Sequence, residues 1–206
     1  MKNIKAIIFD LGAVILNINY QNTINAFSKL GVKNAATFYS KKVQTDLFNQ
    51  IETGMISCNE FLKALQKETE NANINQVEHA WNALLLDLPE ERVKLIKKLK
   101  NNHIIYLLSN TNAIHIDAFK KQLGNTKWLA FCKLFDKMYL SHELGLRKPD
   151  VKVFEYILKE QELKAEEVFF IDDSPQHIAS AKKLGINCHH LLDDEDITAL
   201  FPDTTL

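Results

Sequence analysis

The chain has 206 residues, of which 46% are hydrophobic and 25% are charged. These fractions are typical of globular domains and exclude disordered and collagen-like sequences. The 25 basic and 26 acidic residues give a formal net charge of −1, which argues against broad electrostatic binding to nucleic acid or to an anionic membrane. The length indicates one domain, or one domain that carries an insertion.

The cysteines and the N-terminus favour a cytoplasmic protein. Cys58, Cys132 and Cys188 are far apart and share no metal-ligand spacing, which argues against a disulfide framework and fits a reducing compartment. The first apolar run ends at Asp10 and is too short for the core of a signal peptide. No apolar run reaches the roughly 18 residues of a membrane span. We expect a monomer or a homodimer in the cytoplasm, with no membrane association.

Short apolar runs rich in branched and aromatic residues predict buried strands at residues 4–9, 104–108 and 168–171. Residues 186–192 predict a strand more weakly, because polar residues interrupt the run, and residues 137–140 are a marginal fifth candidate. Helical periods lie between these runs, at residues 88–99, 114–123, 151–158 and 178–184. The alternation predicts an α/β fold with a Rossmann-like, doubly wound parallel sheet.

The segment 18–86 interrupts this alternation, since it contains helical periods and no convincing strand. Ser57 and Glu60 have the spacing of a capping box and predict a helix over 60–67. We therefore expect a core made of residues 1–17 and 87–206, with a helical cap at 18–86 over the carboxyl edge of the first strand. Gln50 and Glu52 are expected on the surface of this cap, with contact to a substrate as the alternative.

Polar residues follow three of the predicted strands, and a loop adds a lysine. They are Asp10 after the first strand, Ser109 and Asn110 after the second, Asp172 and Asp173 after the third, and Lys148 in the loop 145–150. A single Asp after a strand is usually a turn residue or a helix N-cap. Because the carboxyl ends of parallel strands share one edge of a sheet, these groups are expected to form one site.

The residue types of this site suit phosphoryl transfer. Clustered carboxylates raise the free energy of one another's ionisation unless a cation compensates, which implies a hard divalent ion such as Mg²⁺. A carboxylate is also a nucleophile toward phosphorus and yields an aspartyl-phosphate. Hydroxyl, amide and ammonium groups donate hydrogen bonds to phosphoryl oxygens.

At this level of detail the sequence resembles the haloacid dehalogenase superfamily of phosphohydrolases along its whole length. The four matching motifs occur in the family's order at 8–14 (IFDLGAV), 108–110 (LSN), 147–149 (RKP) and 170–174 (FIDDS). Each motif alone is weak, but their joint order and spacing are specific. The resemblance implies Mg²⁺-dependent hydrolysis of a small phosphorylated metabolite.

The resemblance also implies the metal ligands. By motif position, Asp10 is the nucleophile that accepts the phosphoryl group and also binds Mg²⁺. The backbone carbonyl of Gly12 and the carboxylate of Asp172 are the other protein ligands. Asp173 holds a metal-bound water or lies in the surrounding shell.

The phosphate-binding residues follow from the same motifs. Ser109 and Asn110 correspond to residues that bind the phosphate. Lys148 corresponds to the lysine that bridges the nucleophile and the phosphate, and so takes part in catalysis. Their alternatives are a helix cap for Ser109 and a solvated loop position for Lys148.

Gly12 departs from the family pattern. The usual first motif is Asp-x-Asp, whose second carboxyl protonates the leaving oxygen and then activates water, and Gly12 has no side chain for either step. One outcome is a phosphatase selective for good leaving groups, such as sugar 1-phosphates, acyl phosphates or aryl phosphates. The other is a non-catalytic or very slow protein that still binds phosphate.

Three further comparisons weigh these alternatives. The Asp-Leu-Gly-x-Val motif and the segments 48–57 and 108–112 are similar to a bacterial branch that contains a glucose-1-phosphate phosphatase, which favours a selective phosphatase. Haloacid dehalogenation is disfavoured because the pair Asp172 and Asp173 is retained, which a metal-free dehalogenase does not need. A phosphomutase is disfavoured because Gly12 cannot shuttle protons.

Three histidines rank lower as site residues. His177 follows Asp172 by five residues and is expected either near the metal site or on a helix surface. His189 and His190 end the weak strand candidate away from the other motifs, and a structural role is expected for both.

Overall fold

The computed structural model describes residues 3–35 and 46–202. Its centre is a five-stranded parallel sheet with the order β3-β2-β1-β4-β5. The strands are β1 Ala6–Phe9, β2 Ile104–Ser109, β3 Lys137–Leu140, β4 Val168–Asp172 and β5 Asn187–His190. This confirms the predicted α/β fold with a doubly wound parallel sheet. The marginal strand at 137–140 is present, and β5 is shorter than the predicted 186–192.

Helices connect the strands. Between β1 and β2 lie α1 Tyr20–Lys29, α2 Asp46–Glu52, α3 Cys58–Gln66, α4 Ile74–Asn82 and α5 Glu90–Leu99. After β2 follow α6 Ala113–Cys132, α7 Ser141–Leu144, α8 Val151–Glu160 and α9 Pro175–Lys182, with short 3-10 turns at Ala165–Glu167 and Ile197–Leu200. Among the described helices, none combines the length and the apolar character that crossing a bilayer requires.

Several helix boundaries differ from the sequence expectation, and three of the differences have a local explanation. The helix predicted over 60–67 begins at Cys58, because Ser57 is the N-cap and Glu60 is the third helical residue of the capping box. The helix predicted over 114–123 continues to Cys132 across a break at Gly124, whose φ of 73° and ψ of 160° are not helical. The helix predicted over 178–184 begins three residues earlier, with Pro175 in its first turn.

The sheet is covered on both faces, as the near-continuous apolar strands require. One face of β1 carries Ile7 and Phe9, which pack with α5 and α6, and the other carries Ala6 and Ile8, which pack with α8 and α9. All four side chains are essentially inaccessible to solvent. The helices packed on the two faces hold the strands of the sheet in a fixed register.

The register aligns the carboxyl ends of the three central strands. Phe9 of β1 lies opposite Leu107 of β2 and Ile171 of β4. Each of these residues is followed within three positions by a polar group at the edge of the sheet. The predicted site residues therefore leave the sheet at the same edge.

The helices α1 to α4 build a separate apolar cluster. It includes Phe27, Phe48, Phe61 and Trp81. Ile114 of the core helix α6 also belongs to this cluster. Two antiparallel chain segments join this layer to the sheet through the pairing of residues 17–19 with residues 84–87. On this basis we propose the domain division expected from the sequence, with a cap at 18–86, of which residues 36–45 lie outside the described part of the chain.

Candidate active site

A cavity of about 200 Å³ opens at the carboxyl edge of the sheet, between the sheet and the helices α2 and α4. The predicted site residues on its wall are Asp10, Gly12, Ser109, Asn110 and Asp173. The remaining two predicted residues, Lys148 and Asp172, are fully buried. Lys148 forms ion pairs with both Asp10 and Asp172. The structure thus brings all seven predicted residues together.

Lys148 lies at the centre of the carboxylate group. Its Nζ is 2.9 Å from Oδ1 of Asp10 and 2.6 Å from Oδ2 of Asp172. It also donates a hydrogen bond of 2.9 Å to the carbonyl oxygen of Leu108, at the end of β2. The buried ammonium group thus donates two hydrogen bonds, to Asp172 and to the Leu108 carbonyl, and forms an ion pair with Asp10. The alternative of a solvated Lys148 is excluded.

The backbone of Lys148 is held by Asn110. The side-chain amide of Asn110 donates to the Lys148 carbonyl at 2.8 Å and accepts from the Lys148 N–H at 2.9 Å. The following peptide bond, between Lys148 and Pro149, is cis. The side chain of Asn110 thus orients Lys148, and the phosphate contact predicted for Asn110 stays a prediction. Ser109, the last residue of β2, is buried on the cavity wall.

Asp172 is held from both of its oxygens. Oδ2 contacts Lys148, while Oδ1 accepts a hydrogen bond of 2.8 Å from the N–H of Ser174 and lies 2.9 Å from Nδ1 of His177. His177 also lines the cavity, so of the two expectations the structure favours a position beside Asp172 over an exposed helix surface. These contacts fix one rotamer of the Asp172 carboxylate.

The electrostatics of Asp10 and Asp172 differ. Burial raises the pKa of Asp10 against the attraction of Lys148, and the carboxylates of Asp172 and Asp173 raise it further. Burial acts in the same direction on Asp172, but Lys148 and the hydrogen bond from His177 outweigh it and lower the pKa of that carboxyl. Three carboxyl groups thus lie at this edge of the sheet beside Lys148, and a cation would lower the free energy of their ionisation.

This donor set suits a hard divalent cation. One ligand atom each from Asp10, Asp172 and His177 lies within 4.8 Å of the other two. Carboxylate oxygens are the donors that Mg²⁺ prefers, whereas a histidine nitrogen is a poorer donor for it. His177 is therefore better suited to orient Asp172 than to bind the ion.

Gly12 lies in the loop after β1, on the cavity wall. An added Cβ there would come 3.0 Å from the terminal methyl Cδ1 of Ile18, which is the flexible end of that side chain. The backbone of Gly12 does not require glycine by its φ angle. A small movement of the Ile18 side chain would therefore make room for a side chain at position 12.

The cap contributes a charged pair to the cavity. Glu52, the last residue of α2, lies with its Oε2 3.0 Å from Nη2 of Arg147, and both residues line the cavity. Arg147 also donates a hydrogen bond to the side chain of Asn49. The expectation that Glu52 lies on the surface is wrong, because α2 packs against the loop that precedes Lys148. Gln50 is not among the residues that line the cavity.

A second cap contact involves residues that the sequence did not single out. His115 of α6 stacks on Trp81 of α4 with ring centroids 4.8 Å apart, and its Nδ1 lies 2.8 Å from Oδ1 of Asn82. Burial lowers the pKa of His115 to about 3, so the ring is neutral at ordinary pH. No sequence motif marks these residues, because the contact depends on how α4 of the cap packs against α6 of the core.

The expectation that His190 lies away from the other motifs is wrong. Parallel pairing of β5 with β4 sets His190 opposite Asp172. Its Nε2 lies 3.0 Å from the backbone carbonyl of Asp173. His189 points elsewhere and lies 3.1 Å from the carboxylate of Glu195. His190 therefore has the structural role that was expected, but it supports the backbone of the candidate site at Asp173.

Comparison with known proteins decides the family. A family model described as haloacid dehalogenase-like hydrolase matches residues 4–185. The chain belongs to the haloacid dehalogenase-like hydrolases. This confirms the resemblance seen in the four motifs.

Relatives of this haloacid dehalogenase-like hydrolase include proteins with named activities. D-ribitol-5-phosphate phosphatase of Bacteroides thetaiotaomicron is 31% identical over 183 residues, which covers 88% of this chain and 89% of the relative. A sesquiterpene phosphatase of Aspergillus oryzae is 25% identical over 92% of this chain and 90% of its own length.

A solved structure extends the comparison to ligands. A haloacid dehalogenase family enzyme from Bacteroides thetaiotaomicron, crystallised as an aspartate-to-alanine variant with magnesium and inorganic phosphate, superposes with a TM-score of 0.89 at 31% identity. The match covers 96% of this chain and 98% of that chain. The fold of the two proteins is therefore the same over nearly their whole length.

Proposed function

We propose that the protein is a Mg²⁺-dependent phosphatase that hydrolyses a small phosphorylated metabolite through an aspartyl-phosphate on Asp10. The observation that carries this proposal is the position of Lys148, whose ammonium contacts both Asp10 and Asp172 below a cavity large enough for a small phosphate ester. The relatives that are phosphatases support the same reaction class.

The metal site would be formed by Asp10, Asp172 and the backbone carbonyl of Gly12, with Asp173 holding a water. The environment of Asp10 supports this assignment, since burial and then the neighbouring carboxylates raise its pKa, and a bound cation would act in the opposite direction. The magnesium bound by the solved Bacteroides enzyme supports it as well. Bound Mg²⁺ would supply positive charge to the phosphoryl oxygens and so favour attack at phosphorus.

The chain's own residues would perform the transfer. An oxygen of Asp10 attacks phosphorus, and the bond to the leaving oxygen breaks with its electron pair on that oxygen. Lys148 compensates charge on Asp10 and on the phosphoryl group, while Ser109 donates a hydrogen bond to a phosphoryl oxygen. Asn110 would act through Lys148, whose backbone it holds, as well as on the phosphate.

The cavity favours a polar, hydroxylated leaving group. Its wall carries the polar side chains of Glu52 and Arg147, which an apolar group would leave without solvent or partner. A sugar phosphate or a sugar-alcohol phosphate supplies hydroxyls that can hydrogen-bond to both side chains. The D-ribitol-5-phosphate phosphatase relative supports this class over a sesquiterpenyl phosphate. The similarity to the glucose-1-phosphate phosphatase branch stays a prediction within the same class.

Gly12 keeps a second function open, namely a phosphate-binding protein without significant turnover. The test is a panel of sugar phosphates, sugar-alcohol phosphates and p-nitrophenyl phosphate, assayed with Mg²⁺, with EDTA and with Asp10→Asn. We expect phosphate release from wild type with Mg²⁺ alone. Activity that survives EDTA or Asp10→Asn would contradict the proposed mechanism. Binding of phosphate or vanadate without turnover of any substrate would favour the second function.

A further inference from the structure

Loss of the family's acid–base carboxyl at Gly12 raises the question of which group moves protons in this protein. The titratable side chains on the cavity wall, within the described residues, are Asp10, Tyr20, Glu52, His115, Asp173 and His177. A proton-transfer group near neutral pH must carry a proton before the reaction and reach the cavity. Most of these side chains are committed to other contacts.

Five of them are poorly suited to proton transfer. Asp10 is the proposed nucleophile, and His177 is engaged with Asp172. The Nδ1 of His115 is engaged with Asn82, and its low pKa leaves too little proton-carrying form. Tyr20 offers a phenol, which is a much weaker acid than a carboxyl group. Asp173 is already assigned to hold a metal-bound water beside the proposed ligand Asp172.

Glu52 remains, and its geometry fits the role. Its side chain is 18% exposed, and Oε2 is fully buried. The contact of this oxygen with Arg147 does not have hydrogen-bond geometry, and no other partner exists for it within the described residues. Glu52 lines the cavity that holds Asp10, and because its side chain is partly exposed there, a bound substrate can reach the carboxyl group. No hydrogen bond within the described residues ties Oε2 to another role.

The environment of Glu52 favours a proton-carrying carboxyl. Burial raises its pKa, and the charges that act on it in the opposite direction are those of Arg147 and Lys148. The net direction is upward, which brings the carboxyl closer to the pH at which a general acid is effective. Arg147 is itself anchored to Asn49 of the same helix, so the pair keeps the carboxyl at the cavity.

We propose that Glu52 of the cap is the general acid and base that replaces the missing side chain at Gly12. This role rests on the proposed phosphatase function. In the first step the bond from phosphorus to the leaving oxygen breaks, and that oxygen takes the proton of the Glu52 carboxyl, which releases a neutral alcohol. In the second step the Glu52 carboxylate accepts a proton from the attacking water. The phosphorus–oxygen bond to Asp10 then breaks, its electron pair returns to the Asp10 carboxylate, and phosphate leaves.

The experiment compares Glu52→Gln with wild type on two leaving groups. For a sugar-alcohol phosphate, whose alkoxide must be protonated, we expect kcat/KM to fall by about 10²- to 10⁴-fold. For p-nitrophenyl phosphate, whose leaving group needs little protonation, the fall should stay within about tenfold. Glu68→Gln, a matched change at an exposed glutamate of the cap, should leave both values unchanged.

The pH profile gives a second readout. In wild type, kcat/KM for the sugar-alcohol phosphate should decline on the alkaline side as Glu52 loses its proton, and Glu52→Gln should remove this decline. Glu52→Asp keeps the carboxyl and should retain the decline at a reduced rate, which tests the role even if the Gln variant folds poorly.

Two outcomes would overturn the role of Glu52. An equal loss on both leaving groups would assign Glu52 to cap packing, and unchanged kinetics on both would remove it from the reaction. Either result leaves the proposed phosphatase intact if wild type hydrolyses p-nitrophenyl phosphate and Asp10→Asn does not. Loss of that difference between wild type and Asp10→Asn would instead contradict the proposed function.

Discussion

The ammonium of Lys148 lies 2.6 Å from the carboxylate of Asp172, and neither side chain reaches solvent. A buried pair of this kind is stabilising only if the remaining donors and acceptors are satisfied. Here the ammonium also donates a hydrogen bond to the Leu108 carbonyl and forms a second ion pair with Asp10. The contact therefore links the loop that carries Lys148 to the ends of β1, β2 and β4, and it prepares the proposed nucleophile.

Removal of this ammonium should affect stability and turnover together. Lys148→Met leaves Asp10 and Asp172 buried without their counter-ion, and we expect the free energy of unfolding without Mg²⁺ to fall by about 3 to 5 kcal/mol. Turnover should fall at least about a hundredfold, because the phosphoryl group loses a charged donor.

Urea unfolding with and without Mg²⁺ measures the stability effect. Mg²⁺ should restore part of the lost stability, since the ion binds only the folded site. Lys152→Met, at an exposed lysine of α8, is the matched control and should change neither quantity. Wild-type kinetics for Lys148→Met would remove Lys148 from the site.

Gly12→Asp tests whether the family's lost carboxyl is still compatible with this cavity. The new Cβ meets only the flexible end of Ile18, at 3.0 Å, so the variant should fold. In wild type, where Glu52 already moves protons, the rate on a sugar-alcohol phosphate should change by less than about tenfold.

In the Glu52→Gln background, Gly12→Asp should instead raise the rate on the sugar-alcohol phosphate at least about tenfold above that of Glu52→Gln alone. Ile18→Val removes the methyl that approaches position 12 and should increase this rescue when combined with Gly12→Asp. Ile18→Val alone, which adds no carboxyl, is the control. A Gly12→Asp variant that folds and leaves Glu52→Gln unrescued would argue against exchangeable roles for the two positions.

His115 should make the stability depend on pH in the acid range. Its pKa is lowered to about 3 by burial in the folded protein, whereas the unfolded chain has the ordinary value of 6.5. Between these values the unfolded state binds more protons, so the free energy of unfolding decreases as the pH falls from 6.5 toward 3. His115→Gln should reduce the slope by up to about 1.4 kcal/mol per pH unit.

Denaturant unfolding measures the slope, at several pH values from about 4 to about 7. This series covers most of the interval between the two pKa values of His115. His79→Gln, at an exposed position of the cap helix that carries Trp81, is the matched control. Equal slopes for wild type and His115→Gln would contradict the assignment of a buried neutral ring.

The capping box that begins α3 should stabilise the cap. The Ser57 hydroxyl accepts a hydrogen bond of 3.2 Å from the N–H of Glu60, and the Glu60 carboxylate accepts one of 2.9 Å from the N–H of Ser57. Ser57→Ala should lower the free energy of unfolding by about 1 kcal/mol. Asn59→Ala, in the exposed first turn of the same helix, should lower it less, and equal effects in urea unfolding would contradict a specific cap.

The sheet could be predicted from the sequence because its central strands are buried on both faces. β1, β2 and β4 lie in the middle of the order and read as continuous apolar runs. β5 lies at an edge and its residues are exposed or half-buried, so the sequence Asn-Cys-His-His has no clear strand pattern. The weak prediction at 186–192 reflects this edge position.

The core half of the candidate site could be predicted for the same reason. Parallel strands in register bring Asp10, Ser109 and Asp172 to one edge, whatever the details of side-chain packing. Glu52 could not be predicted in the same way. Its place on the cavity wall depends on how α2 packs against the loop before Lys148, a contact between residues almost a hundred positions apart.

The most direct test of the central claim is detection of a phosphoryl group on Asp10. Wild-type protein is mixed with Mg²⁺ and p-nitrophenyl phosphate, quenched in acid within the first turnover, and its peptides are analysed by mass spectrometry. We expect one added phosphoryl group on the peptide that contains Asp10, and none with EDTA or in Asp10→Asn. Turnover by wild type with no such adduct, or an adduct on another residue, would contradict the mechanism.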